Sequence, residues 1–368
     1  MKFLRLAFYV LIAQLVLSGC AGEAVEETSS SSSSEINFDA YLGRNASTRS
    51  EVTDNTHLKG TEGNSGFGVF ARYKHTDGTI SPLMLMNNER VTWNKDQNHW
   101  EYTNTRYWPS EGSVDFYAFA PYSDQPKLVS PPNKNEANPT CIFFPSNVSP
   151  VDLVWANAKD QTKTEEPVKF TFNHALARLS FDITANQILE KNGAVIKVKE
   201  VKLYGADEIS GVFVMAGYLN LENGAWTLAD NGIRWFYTWT PDGKVDGNEE
   251  VKKDGTVLKL SASQLDHEHG IITNDADSYI FIIPQVKYFP FYLQITYKVK
   301  QGDFEEEVTV RKNLLDVRNP PGDPNPSFSF EMGKAYVFHL KLSLDPINFY
   351  VTTTVVNWNE VIDETMPL

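Results

Sequence analysis

Ile36-Asn37-Phe38-Asp39-Ala40-Tyr41-Leu42 is the stretch on which the reading of this chain turns. Ile36, Phe38, Ala40 and Leu42 alternate with residues that tolerate water, the period of two that a half-buried strand imposes. Outward from it the period returns at Phe67, Val69, Ala71 and Tyr73. Further strands are expected at 114–120, 168–172, 176–183, 195–204, 212–219, 279–283, 292–299, 307–311, 336–344 and 349–358. Asp77-Gly78, Asn192-Gly193, Asn223-Gly224, Asp242-Gly243 and Gln301-Gly302-Asp303 supply the turns between runs. The only helix of any length is expected near 186–191. The chain therefore reads as all-β, folded as two sandwiches. Residues 145–167 look least strand-like and the alternation restarts near Phe170, which puts a boundary near 175. That gives an N-terminal domain of 36–175 and a C-terminal domain of 176–368. The four prolines within 318–327 mark a loop, because proline cannot donate to a ladder.

The length of 368 residues suits two such domains. With 22 glycines, 19 prolines and 12% aromatics, the composition is that of strands and turns rather than helical bundles. Lys and Arg number 33 against 47 Asp and Glu, for a formal charge of -14. An acidic chain without a basic tract has no means of gripping phosphates, so nucleic acid is excluded as a partner, and charge-driven binding to anionic lipid with it.

The first twenty residues place Lys2 and Arg5 ahead of an apolar run, 6–17, that ends in Leu17-Ser18-Gly19-Cys20. A positive start, a short apolar run and small residues at its end make an export signal; about 12 apolar residues are too few to span a bilayer. The last four residues resemble a bacterial lipobox, which implies that Cys20 carries lipid and begins the mature protein. Residues 21–35 follow with Glu23, Glu26, Glu27 and six serines. They cannot bury enough apolar area to offset the entropy of ordering and are read as a flexible tether. The early acidic residues also resemble the surface-export signal of lipoproteins in Bacteroidales. Cys20 and Cys141 are the only cysteines, so lipid on Cys20 leaves Cys141 without a disulfide partner. Within Thr140-Cys141-Ile142-Phe143-Phe144 it reads as an inert core thiol.

Little points to catalysis. His267-Glu268-His269 lacks further ligands at telling spacing and is read as a solvated loop rather than a metal site. Asp242-Gly243-Lys244-Val245-Asp246-Gly247-Asn248-Glu249 lacks the ligand alternation of a calcium loop and is read as a polar hairpin end. No nucleophile elbow, phosphate loop or dinucleotide fingerprint is present. The chain is read as a non-enzyme with no metal and no cofactor. Trp93, Trp100 and Trp108 in one region, and Trp226, Trp235 and Trp239 in another, supply the alternative: a non-polymerising surface lipoprotein that stacks glycans on Trp faces.

Six phrases in series carry a resemblance. They are Phe116-Tyr117-Ala118-Phe119-Ala120-Pro121-Tyr122, Asp152-Leu153-Val154-Trp155-Ala156, Phe170-Thr171-Phe172-Asn173-His174-Ala175-Leu176-Ala177-Arg178-Leu179, Ile282-Ile283-Pro284-Gln285, Gly333-Lys334-Ala335-Tyr336 and the terminal 347–358. In this order they resemble the fimbrillin family of Bacteroidales, the type V pilins and their minor-fimbrillin-like relatives. The resemblance implies two transthyretin-like β-sandwich domains in tandem and a structural, adhesive role in a cell-surface fimbria. It also implies export as an outer-membrane lipoprotein, trimming by an Arg-specific protease that removes the first strand, and a strand from another subunit filling the groove. Partners would be other fimbrial subunits, outer-membrane lipid through Cys20, the protease, and glycans or proteins of host or bacterial surfaces.

The residues give that account a physical basis. The strand Ile36, Phe38, Ala40, Leu42 lies between a tether and the small-residue loop Gly43-Arg44-Asn45-Ala46-Ser47-Thr48-Arg49-Ser50, the kind of segment proteases enter. Cutting after Arg49, or after Arg44, would leave the strand held by ladder bonds and buried side chains alone. A sandwich missing a strand presents unpaired backbone beside an apolar trench, a site for strand addition. A possible donor is the run 349–358, with Phe349, Val351, Val355 and Trp358. Only ten residues follow it, acidic and poor in strand formers, which suits a tip, minor or anchor subunit.

Overall fold

A computed structural model of the chain describes residues 34–42, 55–60, 66–144, 152–185, 195–206, 212–214, 216–229, 234–240, 255–259, 264–265, 271–272, 280–318, 323–342 and 350–357. The fold is all-β. Its first half runs β1 (Phe38–Leu42), β2 (Phe67–Lys74), β3 (Ile80–Asn94), β4 (His99–Tyr102), β5 (Ser113–Ala120), β6 (Leu128–Val129), β7 (Cys141–Phe144), β8 (Val154–Gln161) and β9 (Val168–His174). The second half begins β10 (Ala177–Ala185), β11 (Val195–Tyr204), β12 (Phe213–Val214), β13 (Gly217–Asn220), β14 (Trp226–Leu228), β15 (Arg234–Thr240), β16 (Gly255–Lys259), β17 (Gln264–Leu265) and β18 (Ile271–Ile272). It closes with β19 (Ile280–Ile282), β20 (Gln285–Lys287), β21 (Tyr292–Gln301), β22 (Phe304–Asn313), β23 (Phe328–Phe330), β24 (Lys334–Leu342) and β25 (Tyr350–Asn357). Helical turns occur at Asn55–Lys59 and Leu315–Arg318, while the helix expected near 186–191 lies outside the described residues.

The strands form a seven-stranded sheet in the order β1-β9-β8-β5-β2-β3-β4 and a four-stranded sheet β14-β13-β7-β6 that covers it. Two further sheets face each other, β18-β10-β24-β25 with β19 on β10, and β12-β15-β11-β21-β22 with β16 on β15 and β17 on β11. Phe181, Tyr336 and Phe338 from the one and Val201, Trp239, Leu293 and Tyr297 from the other fill a common core, which makes this pair a sandwich. The expected turns at Asp77-Gly78, Asn223-Gly224 and Gln301-Gly302 join β2 to β3, β13 to β14 and β21 to β22. Each places its glycine at positive φ.

The seven-stranded sheet is buried on both faces at its centre. Phe67, Val69, Phe116 and Ala118 point into one core, whereas Phe70, Tyr117 and Phe119 point into another with Ile142 and Leu219. That double burial explains the continuous apolar runs of β2 and β5, where a half-exposed strand would alternate. It also corrects the reading of 145–167 as the least strand-like stretch. β8 lies there, paired with β5 and β9, and Val154, Trp155 and Ala156 are buried in succession, so no period of two is left to read. β3, fifteen residues long, shows no period of two in the sequence for a related reason: its ladder with β2 shifts register three times, which breaks the phase of its side chains.

Near residue 175 the chain passes from the first sheet to the next, β9 ending at His174 and β10 starting at Ala177. The join is held from several sides. The Ala175 amide donates to the Leu153 carbonyl (2.8 Å), Trp226 Nε1 donates to the Ala175 carbonyl (2.8 Å), and the Gly333 amide donates to the Leu176 carbonyl (2.9 Å). The hairpin β13–β14, from beyond the join, returns to pair with β7, with Gly217 opposite Phe144 and Asn220 opposite Cys141. One sheet is thus shared by both halves of the chain.

Candidate functional site

The described part of the chain begins at a seam in the seven-stranded sheet. β1 stands at one end of the strand order and β4 at the other, and Phe38 of β1 meets Tyr102 of β4 with ring centroids 5.6 Å apart. β1 is therefore the strand that closes the sheet on itself. It runs parallel to β9, with Phe38 opposite Val168, Ala40 opposite Phe170 and Leu42 opposite Phe172. Its alternation is realised as expected: Ile36, Phe38, Ala40 and Leu42 are 0%, 4%, 8% and 5% exposed, and the residues between them face solvent.

Phe38 is the centre of this seat. It stacks on Phe170 at 5.6 Å and meets Phe67 and Phe116 edge-on at 6.3 and 5.7 Å. Aromatic pairs of this geometry contribute roughly 0.5–1.5 kcal/mol each beyond the area they bury. The backbone ahead of the strand is clamped on its other side. The Ile36 amide donates to the Arg106 carbonyl (2.9 Å), the Trp108 amide to the Ser34 carbonyl (3.0 Å), and the Tyr102 hydroxyl to the Ile36 carbonyl (2.7 Å). Burial raises the pKa of Tyr102, which keeps its hydroxyl a donor across physiological pH. Arg106 in turn donates from Nε to the Leu85 carbonyl (2.9 Å), fixing the clamp to β3. None of Tyr102, Arg106 and Asn55 was expected from the sequence, since a side chain that bonds backbone leaves no periodic trace.

The far end of the strand has a different tie. The Leu42 amide donates to Asn55 Oδ1 at 2.8 Å, so the two ends of the 43–54 segment are held together. Arg44 and Arg49 fall in that segment, outside the described residues. A cut anywhere within it leaves β1 attached by the contacts above and nothing covalent on that side.

The expected donor run lies at another edge. β25 is the last strand of its sheet and pairs antiparallel with β24 from Lys334–Asn357 to Lys341–Tyr350. Val351 is buried and Val355 packs against the core, while Phe349 and Trp358 lie outside the described residues. Between Tyr350 and Asn357 there is no charged residue. The edge strand β22 carries exposed Glu305, Glu306, Glu307, Arg311 and Lys312, the kind of charge that discourages pairing with another chain.

A model of the fimbrillin-like family matches residues 48–358. The chain belongs to the fimbrillin-like family. Among solved structures, a fimbrial protein from Bacteroides vulgatus is 19% identical, covers 88% of this chain and 99% of its own, and superposes with a TM-score of 0.58. A candidate cell adhesion protein from Bacteroides uniformis is 14% identical, covers 88% and 98% respectively, and has a TM-score of 0.49. No curated protein matches this chain.

In this fimbrillin-like chain the tryptophans of the two expected clusters whose side chains are described do not form an outward face, and the side chain of Trp235 lies outside the described residues. Trp100, Trp108 and Trp239 are buried, and Trp93 and Trp226 pack against the cores. Their size fills the interior, which removes the ring faces a sugar would need; the exposed large aromatics among the described residues are Tyr41, Tyr107, Phe143, Tyr288, Phe289 and Phe304. His267-Glu268-His269 and 242–249 lie outside the described residues. Cys141 sits buried in β7, as the run around it suggested, and burial followed by nearby Glu136 pushes its thiol up to about 11. His174 and Asp152 form a buried pair at the join, Nδ1 lying 3.0 Å from the carboxylate. Among the described residues no group of three or more His, Cys, Asp or Glu is arranged to hold a metal.

Proposed function

We propose that this fimbrillin-like chain is a structural, adhesive pilin subunit of a cell-surface fimbria. It is exported as a lipoprotein precursor anchored in the outer membrane through Cys20, carried on the 21–35 tether, with sandwiches over 36–175 and 176–368 whose join is braced by the β13–β14 hairpin. An Arg-specific protease cuts after Arg49, or after Arg44, and β1 leaves. Another fimbrial subunit then supplies a strand to the vacated edge. Family membership supports the fimbrial role, and the observation that carries the assembly route is β1 itself. It is a parallel edge strand next to the arginine-bearing segment, and it plugs the sheet with apolar side chains at every second position.

Energetics set how the trimmed subunit behaves. Exposing a fully buried Ile, Leu or Phe costs about 1.5–3 kcal/mol, so losing Ile36, Phe38 and Leu42 takes a large part of the ~5–15 kcal/mol that holds a domain folded. A trimmed monomer is short-lived until a strand refills the seat. The test is to incubate precursor with an Arg-specific protease and follow the new N-terminus and the oligomer size together. Oligomers appearing with Ser50 at the new N-terminus, or Asn45 for the earlier cut, support the route. A trimmed chain that has lost β1 and stays monomeric and stable would sink it.

A further inference from the structure

Across the outer face of β11, β21 and β22, Lys202 stands opposite Gln294 and Gln294 opposite Arg311, so an ammonium, a carboxamide and a guanidinium share one rung. Their chain neighbours Val201, Leu203, Leu293, Ile295 and Val310 lie in the core, which turns all three side chains outward. The two cations stand on strands two spacings apart, roughly 10 Å. Each leans on a tyrosine of the next rung. Lys202 Nζ lies 5.9 Å from the centre of the Tyr204 ring and the Arg311 guanidinium 5.5 Å from that of Tyr292, and the two rings stack on each other at 5.7 Å. Such contact holds a cation over its ring rather than loose in water. The Tyr204 hydroxyl donates to Gln294 Oε1 (3.3 Å), which leaves the NH2 of that amide to donate elsewhere. Resting on the adhesive reading above, we propose that this rung binds a uronate-bearing polysaccharide, with Arg311 and Lys202 each taking a carboxylate and Gln294 a hydroxyl between them.

The charge pattern of the face calls for an anion. Farther along it the ions are matched, Glu307 with Lys199 at 2.7 Å and Glu305 with Lys298 at 3.2 Å. On the two rungs that flank Lys202, Gln294 and Arg311 the one carboxylate is that of Glu200, beside Thr296 and Thr309. Arg311 is exposed and has no ion pair among the described residues. In a chain of formal charge -14 this is a local site of positive potential. A guanidinium forks a carboxylate with two parallel N–H bonds, which suits it to a uronate. Polysaccharides with one uronate per disaccharide space their charges at about the separation of the two cations, and the neutral amide between them suits a hydroxyl. Tyr288 and Phe289, 66% and 79% exposed in the loop that enters β21, offer ring faces to the apolar C–H side of a sugar at the same end of the strand. Two cations are too few to grip a polyphosphate, so the exclusion of nucleic acid stands.

The experiment uses the full chain from Ala21 onward and titrates it by calorimetry with four probes. These are a hyaluronan hexasaccharide, the same hexasaccharide with its carboxylates reduced to alcohols, a neutral dextran oligosaccharide and oligoglutamate. The proposal expects the acidic hexasaccharide to bind, more weakly as salt rises, and the reduced one and dextran not to. Arg311→Gln should weaken binding about 10- to 100-fold, and Arg311→Lys should restore only part of the loss. Lys202→Gln and Arg311→Gln together should abolish it. Lys298→Gln removes the same charge from the matched part of the face and should leave affinity unchanged. Thermal unfolding checks that each variant keeps its fold. Equal weakening by Lys298→Gln and Arg311→Gln overturns the rung as the site in favour of general charge attraction. Oligoglutamate binding as tightly as the acidic hexasaccharide overturns the saccharide in favour of an acidic protein partner. No binding of the acidic hexasaccharide overturns the proposal alone if cells displaying the chain still attach to a host cell layer, and overturns the adhesive reading with it if they do not.

Discussion

Phe38 lies nearly flat against Phe170, their rings 18° from parallel with centroids 5.6 Å apart, although 132 residues of sequence separate them. This contact couples the first strand of the sheet to the strand that leads into the second half, and through Phe67 and Phe116 to the sheet's centre. Replacing Phe38 by Ala should therefore destabilise the uncut protein by about 3–5 kcal/mol, as measured by denaturant unfolding. The same variant should shed its N-terminal strand faster after nicking. A loss under 1 kcal/mol would mean that the ring is not the anchor of β1.

Tyr102→Phe tests the clamp on the other side of the strand. The ring stays in the Phe38 cluster, and only the hydroxyl that donates to the Ile36 carbonyl and accepts the Arg106 amide is lost. The expected destabilisation is about 1–3 kcal/mol, because buried backbone groups on both sides lose a partner. Hydrogen exchange at the Ile36 and Arg106 amides should quicken first, ahead of amides in β5. Uniform exchange across the sheet would argue against a local clamp.

Gly224 tests the sheet shared by the two halves. It sits at φ +75° in the β13–β14 turn, and a Cβ there would come within 2.3 Å of the Trp155 ring. Gly224→Ala should cost about 1–3 kcal/mol through strain and overpacking. Adding Trp155→Leu should recover part of that loss, so the double variant is less destabilised than the two single changes predict together. Strict additivity would show that the turn and the ring do not press on each other.

Cys141 gives a pH signature. The folded state holds the thiol proton up to about 11, above the ordinary value of 9.0. The neutral form is the one that folding favours, so the stabilisation is fully present below the ordinary thiol pKa and is lost as pH rises toward 11. Urea midpoints for the parent chain should fall more steeply between about pH 9 and 11 than those of Cys141→Ala. Thiol labelling at neutral pH should be slow in the folded protein and fast in denaturant. Rapid labelling of the folded chain would place the thiol at the surface.

The sequence by itself determined the class of fold and which side chains of the first strand are buried. The alternation Ile36, Phe38, Ala40, Leu42 survives as a burial pattern without one exception, because a strand with one buried face writes its environment into its own periodicity. The hairpin turns were legible for a similar reason, glycine being the residue that meets positive φ without strain. What occupies the space beneath that strand was decided only by tertiary structure. Its walls come from Phe67, Tyr102, Phe116 and Phe170, distant segments whose meeting no local pattern encodes. β8 was hidden because a strand covered on both faces has no alternation to show, and the tryptophans looked available for sugar because sequence does not say which side of a sheet will be closed by another. The return of β13–β14 onto β7 across the join near 175 is of the same kind. Pairing between strands is a matter of backbone hydrogen bonds, which are alike for every residue, so the choice of partner is settled by the burial of whole faces rather than by the residues that pair.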